Sequence, residues 1–279
     1  MAKIKSYKPI TPARRQMTGL LYRDILTTRK PEKKLTTGFK RAKGRNVFGR
    51  ITVRHKGGGA KRLFRLIDFR YDKHDIPAVV KSIEYDPNRS GLISLVVYRD
   101  GEKRYVLMPA GTKIGDEMIV SENAELKPGN RLPLKKIPVG TQVYNIELKP
   151  LGGAKLCRSA GIYAEVIAQE SGFTHLKLPS TEIRRIPDNA WASIGRVSKE
   201  EHDLVIFGKA GRSRHKGIRP TVRGSAMNPV DHPYGGGEGR AGRGTRRPKT
   251  AGGKITGGVK TRKRKKYSDI FIVSRRKKK

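Results

Sequence analysis

Apolar positions in the middle of this chain fall in short runs: Ala78–Val80, Leu92–Tyr98, Arg104–Met108, Gln142–Leu148, Ala164–Ala168, Phe173–Leu178 and Ile183–Ile186. They are rich in Val, Ile, Tyr and Leu and separated by Gly, Pro, Asp and Asn, the pattern of β-strands between turns. Tyr98-Arg99-Asp100-Gly101-Glu102-Lys103 reads as a hairpin, because Asp-Gly tolerates the positive φ angles of a tight type I′ turn. Asp86-Pro87-Asn88, Lys127-Pro128-Gly129-Asn130 and Glu170-Ser171-Gly172 read as further turns. Helical signal is weak; the best candidate starts at Ser198, where Ser-Lys-Glu-Glu fits a capping box with about two turns to follow. Many short strands with frequent turns predict small barrels or sandwiches. Lys149-Pro150-Leu151-Gly152-Gly153 reads as the joint between two strand-rich halves.

Charge divides the chain the same way. Of 63 Lys+Arg and 24 Asp+Glu, residues 1–65 hold 20 and 2, residues 66–207 hold 20 and 19, and residues 208–279 hold 23 and 3. The net charge of +39 therefore sits in two extensions around a middle of net +1. Such an excess disfavours a small-substrate enzyme and points to a polyanionic partner. The hydrophobic share of 35 % is below the usual roughly 45–50 %, so the extensions are expected to be ordered by something they bind. The single cysteine, Cys157, excludes an internal disulfide and a thiolate zinc site and suits a reducing compartment. No apolar run approaches the ~18–20 residues of a membrane span, and the N-terminus lacks the apolar core of a secretory signal.

Two basic, glycine-rich stretches carry the candidate chemistry. In residues 49–62, Arg50, Arg54, His55, Lys56, Lys61 and Arg62 surround Gly57, Gly58 and Gly59. Glycine lets backbone N–H groups approach phosphate while the cations neutralise it. In residues 208–224, Lys209, Arg212, Arg214, Arg219 and Arg223 alternate with glycines that are expected to prevent a regular helix and permit a path between nucleic-acid strands. Residues 227–240 hold Met227, Asn228, Asp231, His232, Gly235, Gly236, Gly237 and Arg240. A catalytic His232 is disfavoured, because no nucleophile or metal-ligand spacing accompanies it. Gly237, Gly239 and Gly242 match GxGxxG by chance, with no strand before and no helix after. Charge blocks containing Lys260, Arg262, Lys263 and Arg264 and ending in 275–279 flank an apolar island, Ile270–Val273, that is expected to dock on protein or RNA. On residues alone, RNA and DNA both remain open as the polyanion.

Longer motifs follow in order: GRITVRHKGGG (49–59), SIEYDPNR (82–89), GEKRYVLMP (101–109), PGNRLPL (128–134), VGTQVYNIELKPLGG (139–153), KAGRSR (209–214) and RPTVRGSAMNPVDHP (219–233). Together they resemble the bacterial large-subunit ribosomal protein L-two family over nearly the whole chain. The resemblance implies an all-β fold: a basic extension (1–65), an OB-like barrel (66–150), an SH3-like barrel (151–207) and a Gly/Arg/Lys-rich extension (208–279). It implies a non-enzymatic primary binder of large-subunit rRNA that supports assembly, subunit association, tRNA binding and the peptidyl-transferase region. The implied partners are large-subunit rRNA, small-subunit rRNA at an inter-subunit bridge and other ribosomal proteins. No membrane, small-molecule substrate, cofactor, metal or catalytic residue is expected. The implied location is the cytoplasmic ribosome, bacterial or organelle-encoded. The segment matching Met227 to Arg240 is the one that reaches toward the peptidyl-transferase centre, with His232 in a positioning role. The chain departs from the family in Ala60, His215 and Tyr234, and in 241–258, which lacks a Thr-Pro-Trp-Gly segment.

Overall fold

The computed structural model describes residues 3–38, 40–239 and 241–276. The chain divides into two units: residues 1–40, 61–212 and 270–279 form the first, and 41–60 and 213–269 the second. The fold is all-β, an OB-like barrel followed by an SH3-like barrel with long irregular basic extensions. In the first unit, β1 (Ile4–Ser6) pairs with β2 (Thr18–Leu20), and β3 (Thr36–Thr37) with β4 (Phe64–Arg65). A curled antiparallel sheet follows, made of β5 (Ala78–Glu84), β6 (Ile93–Tyr98), β7 (Lys103–Leu107) and β8 (Glu117–Met118), in the order β7–β6–β5–β8.

Alternation explains how this sheet is covered. Ala78 and Val80 of β5 are buried while Val79 and Lys81 face out, and a bulge between Val80 and Ser82 then breaks the period. On one face Val80, Val96, Tyr98 and Val106 pack with Tyr71, Leu92 and Met108. On the other, Ile93, Leu95 and Tyr105 are covered by Leu35 and Ile67. Both faces of β6 are buried, hence a sequence apolar at every position but Ser94.

The second sheet uses β9 (Arg131–Pro133), β10 (Gln142–Tyr144), β13 (Ala164–Glu170), β14 (Phe173–Lys177), β15 (Ile183–Pro187), β16 (Trp191–Ile194) and β17 (Ile272–Ser274), while β11 (Ile146–Glu147) pairs with β12 (Ala154–Leu156). The order is β17–β15–β14–β13–β10–β16–β9. Leu132, Val143, Val166, Leu176, Ile186, Ala192 and Ile194 form its core. Because β9 and β10 pair into this sheet, strand pairing passes from the first sheet to the second between Met118 and Arg131, and the joint read at 150 is instead spanned by the β11–β12 ribbon.

Where the two cores meet, Arg131 and Glu147 form an ion pair at 2.9 Å, their side chains only 1 % and 3 % exposed. Arg131 also donates to the Asn145 carbonyl at 2.7 Å and the Trp191 carbonyl at 3.3 Å. Its guanidinium lies 4.5 Å from the centre of the Tyr71 ring. The Tyr71 hydroxyl accepts a 2.7 Å bond from the Asn145 amide, and burial pushes its pKa up to about 12. Cys157 is likewise an inert thiol, pushed to about 12 by burial.

Several local expectations are corrected. The 98–103 hairpin forms, but only Gly101 has positive φ (+84°), and its N–H donates to the Tyr98 carbonyl at 2.8 Å. That is a turn of ordinary hand followed by a glycine bulge, not type I′. The capping box at Ser198 does not form. Lys199 adopts a left-handed φ of +68° before a 3₁₀ helix at Glu200–Leu204, and Ser198 Oγ instead accepts the Leu92 N–H at 3.2 Å. The run Gln142–Leu148 is split by Asn145, at φ +50°. Despite Gly211, a six-residue helix spans Ala210–His215, because one exposed glycine costs a helix only about 1 kcal/mol. The apolar island, by contrast, docks on protein, one of its two expected partners: β17 pairs with β15, Arg184 opposite Ile272.

Candidate nucleic-acid interface

The two glycine-rich basic stretches, 158 residues apart at Gly59 and Gly217, lie side by side in the second unit. Lys56 and Ile218 form an antiparallel bridge. The Gly57 N–H donates to the Gly217 carbonyl at 2.7 Å, Ala60 N–H to His215 at 2.9 Å, and Arg219 N–H to His55 at 3.0 Å. Arg41 reaches the Ala60 carbonyl at 2.7 Å. This approach requires glycine: a Cβ on Gly59, at φ +63°, would sit 2.6 Å from the His215 carbonyl oxygen.

Beside this seam is a cleft of about 500 Å³ lined by Lys43, Arg45, Arg54, Lys56, Arg214 and Arg219, with His55, Gly57, Gly58, Ile51 and Val53. Six cations converge and no carboxylate lines it among the described residues. Like charges held together without counter-charge repel one another, an arrangement relieved by a bound polyanion. The second unit as a whole holds 22 Lys+Arg against 3 Asp+Glu. Lys43 and Arg45 precede the glycine-centred motif in the chain, and it is the fold that brings them to the same cleft as Arg54, Lys56, Arg214 and Arg219.

The 227–236 segment folds back on itself. The Gly236 N–H donates to the Met227 carbonyl at 3.0 Å, Gly235 to His232 at 2.8 Å, and Asp231 to Asn228 at 3.0 Å. A Cβ on Gly235 would lie 2.1 Å from the Asn228 carbonyl, and one on Gly224 about 2.5 Å from the His232 ring. His232 is thus seated flat on Gly224, 4.9 Å from the Tyr234 ring centre, and its Nδ1 accepts the Tyr234 N–H at 3.1 Å. Tyr234 occupies the departure position, and its hydroxyl accepts the Lys249 N–H. The divergent 241–258 stretch contains a hairpin, with Lys249 bridged to Ile255 and Thr250 N–H on the Lys254 carbonyl at 2.8 Å. Arg223, His232, Tyr234, Gly239 and Arg243 line a recess of about 780 Å³.

Other expected contacts are distributed differently. Lys61, Arg62, Lys209 and Arg212 belong to the first unit. Arg62 donates to the Pro87 carbonyl. Arg212 donates to the Thr18 carbonyl at 3.0 Å and to Phe207 at 3.4 Å, so its guanidinium anchors the chain locally. In the second unit Arg50, Lys260, Lys263 and Arg264 are exposed. Arg262 pairs with Asp269 at 2.8 Å through Nε and with Ser268 at 3.1 Å. Arg240 lies outside the described residues.

Two family models match the chain. The Ribosomal Proteins L2 RNA binding N-terminal domain matches residues 32–120, and the Ribosomal Proteins L2 C-terminal domain matches 127–253. The matches meet in the interval where strand pairing passes from one sheet to the next. The cationic cleft draws residues from both, 43–58 from one and Arg214 and Arg219 from the other.

Proposed function

The chain belongs to the ribosomal protein L2 family and is therefore a structural, RNA-binding protein of the ribosome; from that premise we propose that its paired glycine-rich stretches clamp the large-subunit rRNA backbone. The observation that carries this is the convergence of six cations, without a carboxylate, on a seam where glycines bring two backbones together. Arg supplies bidentate phosphate contacts and Lys point charges, while the glycines let the two cation-bearing stretches lie against each other. The barrels within 66–207 then act as a rigid base, and the basic extensions 1–65 and 208–279 as arms that the RNA orders.

The finer role we propose is support of subunit assembly and association, including contact with small-subunit rRNA at an inter-subunit bridge and with other ribosomal proteins. The 227–240 loop reaches the peptidyl-transferase region and contributes to tRNA binding there, in a cytoplasmic, bacterial-type ribosome. His232 positions this loop and does no chemistry: its Nδ1 already accepts a backbone N–H and its ring is pinned between Gly224 and Tyr234.

The test is a salt titration of full-length protein on large-subunit rRNA, comparing wild type with Arg54→Gln/Lys56→Gln/Arg214→Gln/Arg219→Gln. Wild-type log K should fall steeply with log salt, and the variant's slope should be shallower by about 3, at roughly 0.7–0.9 per phosphate contact. Equal slopes would overturn the clamp.

A further inference from the structure

At the end of hairpin 44–53 the second unit displays two apolar side chains that the turn itself does not need. Val47 and Phe48 are 93 % and 83 % exposed. They occupy the centre of a turn closed by the Gly49 N–H on the Asn46 carbonyl at 3.1 Å. Central turn positions ordinarily go to Pro, Asp, Asn, Ser or Gly; Val and Phe supply neither turn geometry nor burial here.

The finger is stiff. Asn46 Oδ1 accepts the Phe48 and Arg50 amides at 3.1 and 2.9 Å, and the Asn46 N–H donates to the Arg50 carbonyl at 3.0 Å. Below it Arg45 is bridged to Ile51, and Thr52 and Val53 both donate to the Gly44 carbonyl, at 2.9 and 3.1 Å. A preorganised tip loses little entropy when it docks. Arg45 and Arg50 flank it, and Arg45 also lines the phosphate cleft. The ligand of this tip must therefore offer negative charge and an apolar face within one turn's reach of each other.

We propose that Phe48 stacks on an unpaired base of the same RNA that the cleft holds by its phosphates. The inference rests on the RNA reading given above. RNA meets both demands, since every base has a π-face and every nucleotide a phosphate. The base must be in a loop, bulge or end, because bases inside an A-form duplex are stacked on one another.

The experiment uses the full chain and large-subunit rRNA, with Phe48→Ala, Phe48→Leu and Phe48→Trp. Phe48→Ala should weaken binding roughly 5- to 150-fold, the alanine-substitution range for one stacked base. The slope of log K against log salt should stay as in wild type. Phe48→Trp should bind within about twofold of wild type, whereas Phe48→Leu, apolar but not aromatic, should behave like Phe48→Ala. In base-directed chemical probing, one unpaired nucleotide protected by wild type should become reactive with Phe48→Ala. Stacking is overturned if Phe48→Ala binds as wild type, or if Phe48→Leu restores full affinity. It is also overturned if the Ala variant loses binding to phosphatidylserine vesicles while RNA binding is untouched. A wild type whose RNA affinity is flat with salt defeats the clamp; a steep slope with a silent Phe48→Ala defeats only the stacking.

Discussion

The barrel body and the glycine-seamed unit solve opposite electrostatic problems. In the body, cations are matched: Arg104 contacts Asp68 at 2.8 Å and Glu102 at 2.6 Å, Arg196 contacts Glu200 at 2.8 Å, and Arg131 is buried against Glu147. Two apolar clusters hold the sheets together. In the seamed unit the cohesion is backbone hydrogen bonding between glycine-rich stretches, and its cleft gathers cations with no acid among the described residues. One region is complete as it stands. The other is built to be completed by an anion, so changes should act on folding in the first and on RNA affinity in the second.

The largest expected effect is in the body. Glu147→Ala leaves Arg131 charged, buried and without its carboxylate, a loss of about 3–5 kcal/mol. Denaturant unfolding of the full chain should show this as a lower midpoint. The salt slope of rRNA binding by the fraction still folded should stay at the wild-type value. A midpoint unchanged by Glu147→Ala would mean that the ion pair does not hold the two cores in register.

Sequence made the body legible because its strands bury one face or two, and that leaves periodic apolar runs such as Leu92–Tyr98. It hid strands whose role depends on distant partners. β16 is only Trp191–Ile194, yet Ala192 is fully buried between β10 and β9; four residues carry no period. The capping motif at Ser198 failed because a tertiary partner, the Leu92 amide, took the hydroxyl. At the candidate site, residue types were readable and company was not. Arg212 and Arg214 look equivalent in Gly-Arg-Ser-Arg, but one anchors carbonyls of its own unit and the other lines the cleft. Nor does any local signal in 49–59 announce that it pairs with 215–219.

That pairing can be broken by one side chain at a position that has none. Gly59→Val places a Cβ at φ +63° against the His215 carbonyl, where the 2.6 Å approach forces the strands apart. Strain of this kind costs about 1–3 kcal/mol, and RNA affinity should fall by about tenfold while the body's unfolding midpoint holds. Gly253→Val has the same left-handed backbone, φ +76°, but nothing within 4 Å, so it should cost RNA affinity little. If the two variants bind alike, close approach at the seam is not what shapes the cleft.

The smallest contrast removes one positive charge from each region. Lys177, exposed and 3.6 Å from Glu165 on the neighbouring strand, belongs to a surface pair worth about 0–1 kcal/mol. Lys177→Gln should barely move the unfolding midpoint and leave the rRNA salt slope alone. Arg54→Gln takes one cation from the carboxylate-free cleft; it should reduce the slope by about 0.7–0.9, one released counterion's worth, with unfolding unchanged. Net charge falls by one in both. A slope that tracked net charge alone would shift equally for the two variants and would show the protein to be a diffuse polycation, whereas a shift confined to Arg54 locates binding in the seam between the two glycine stretches.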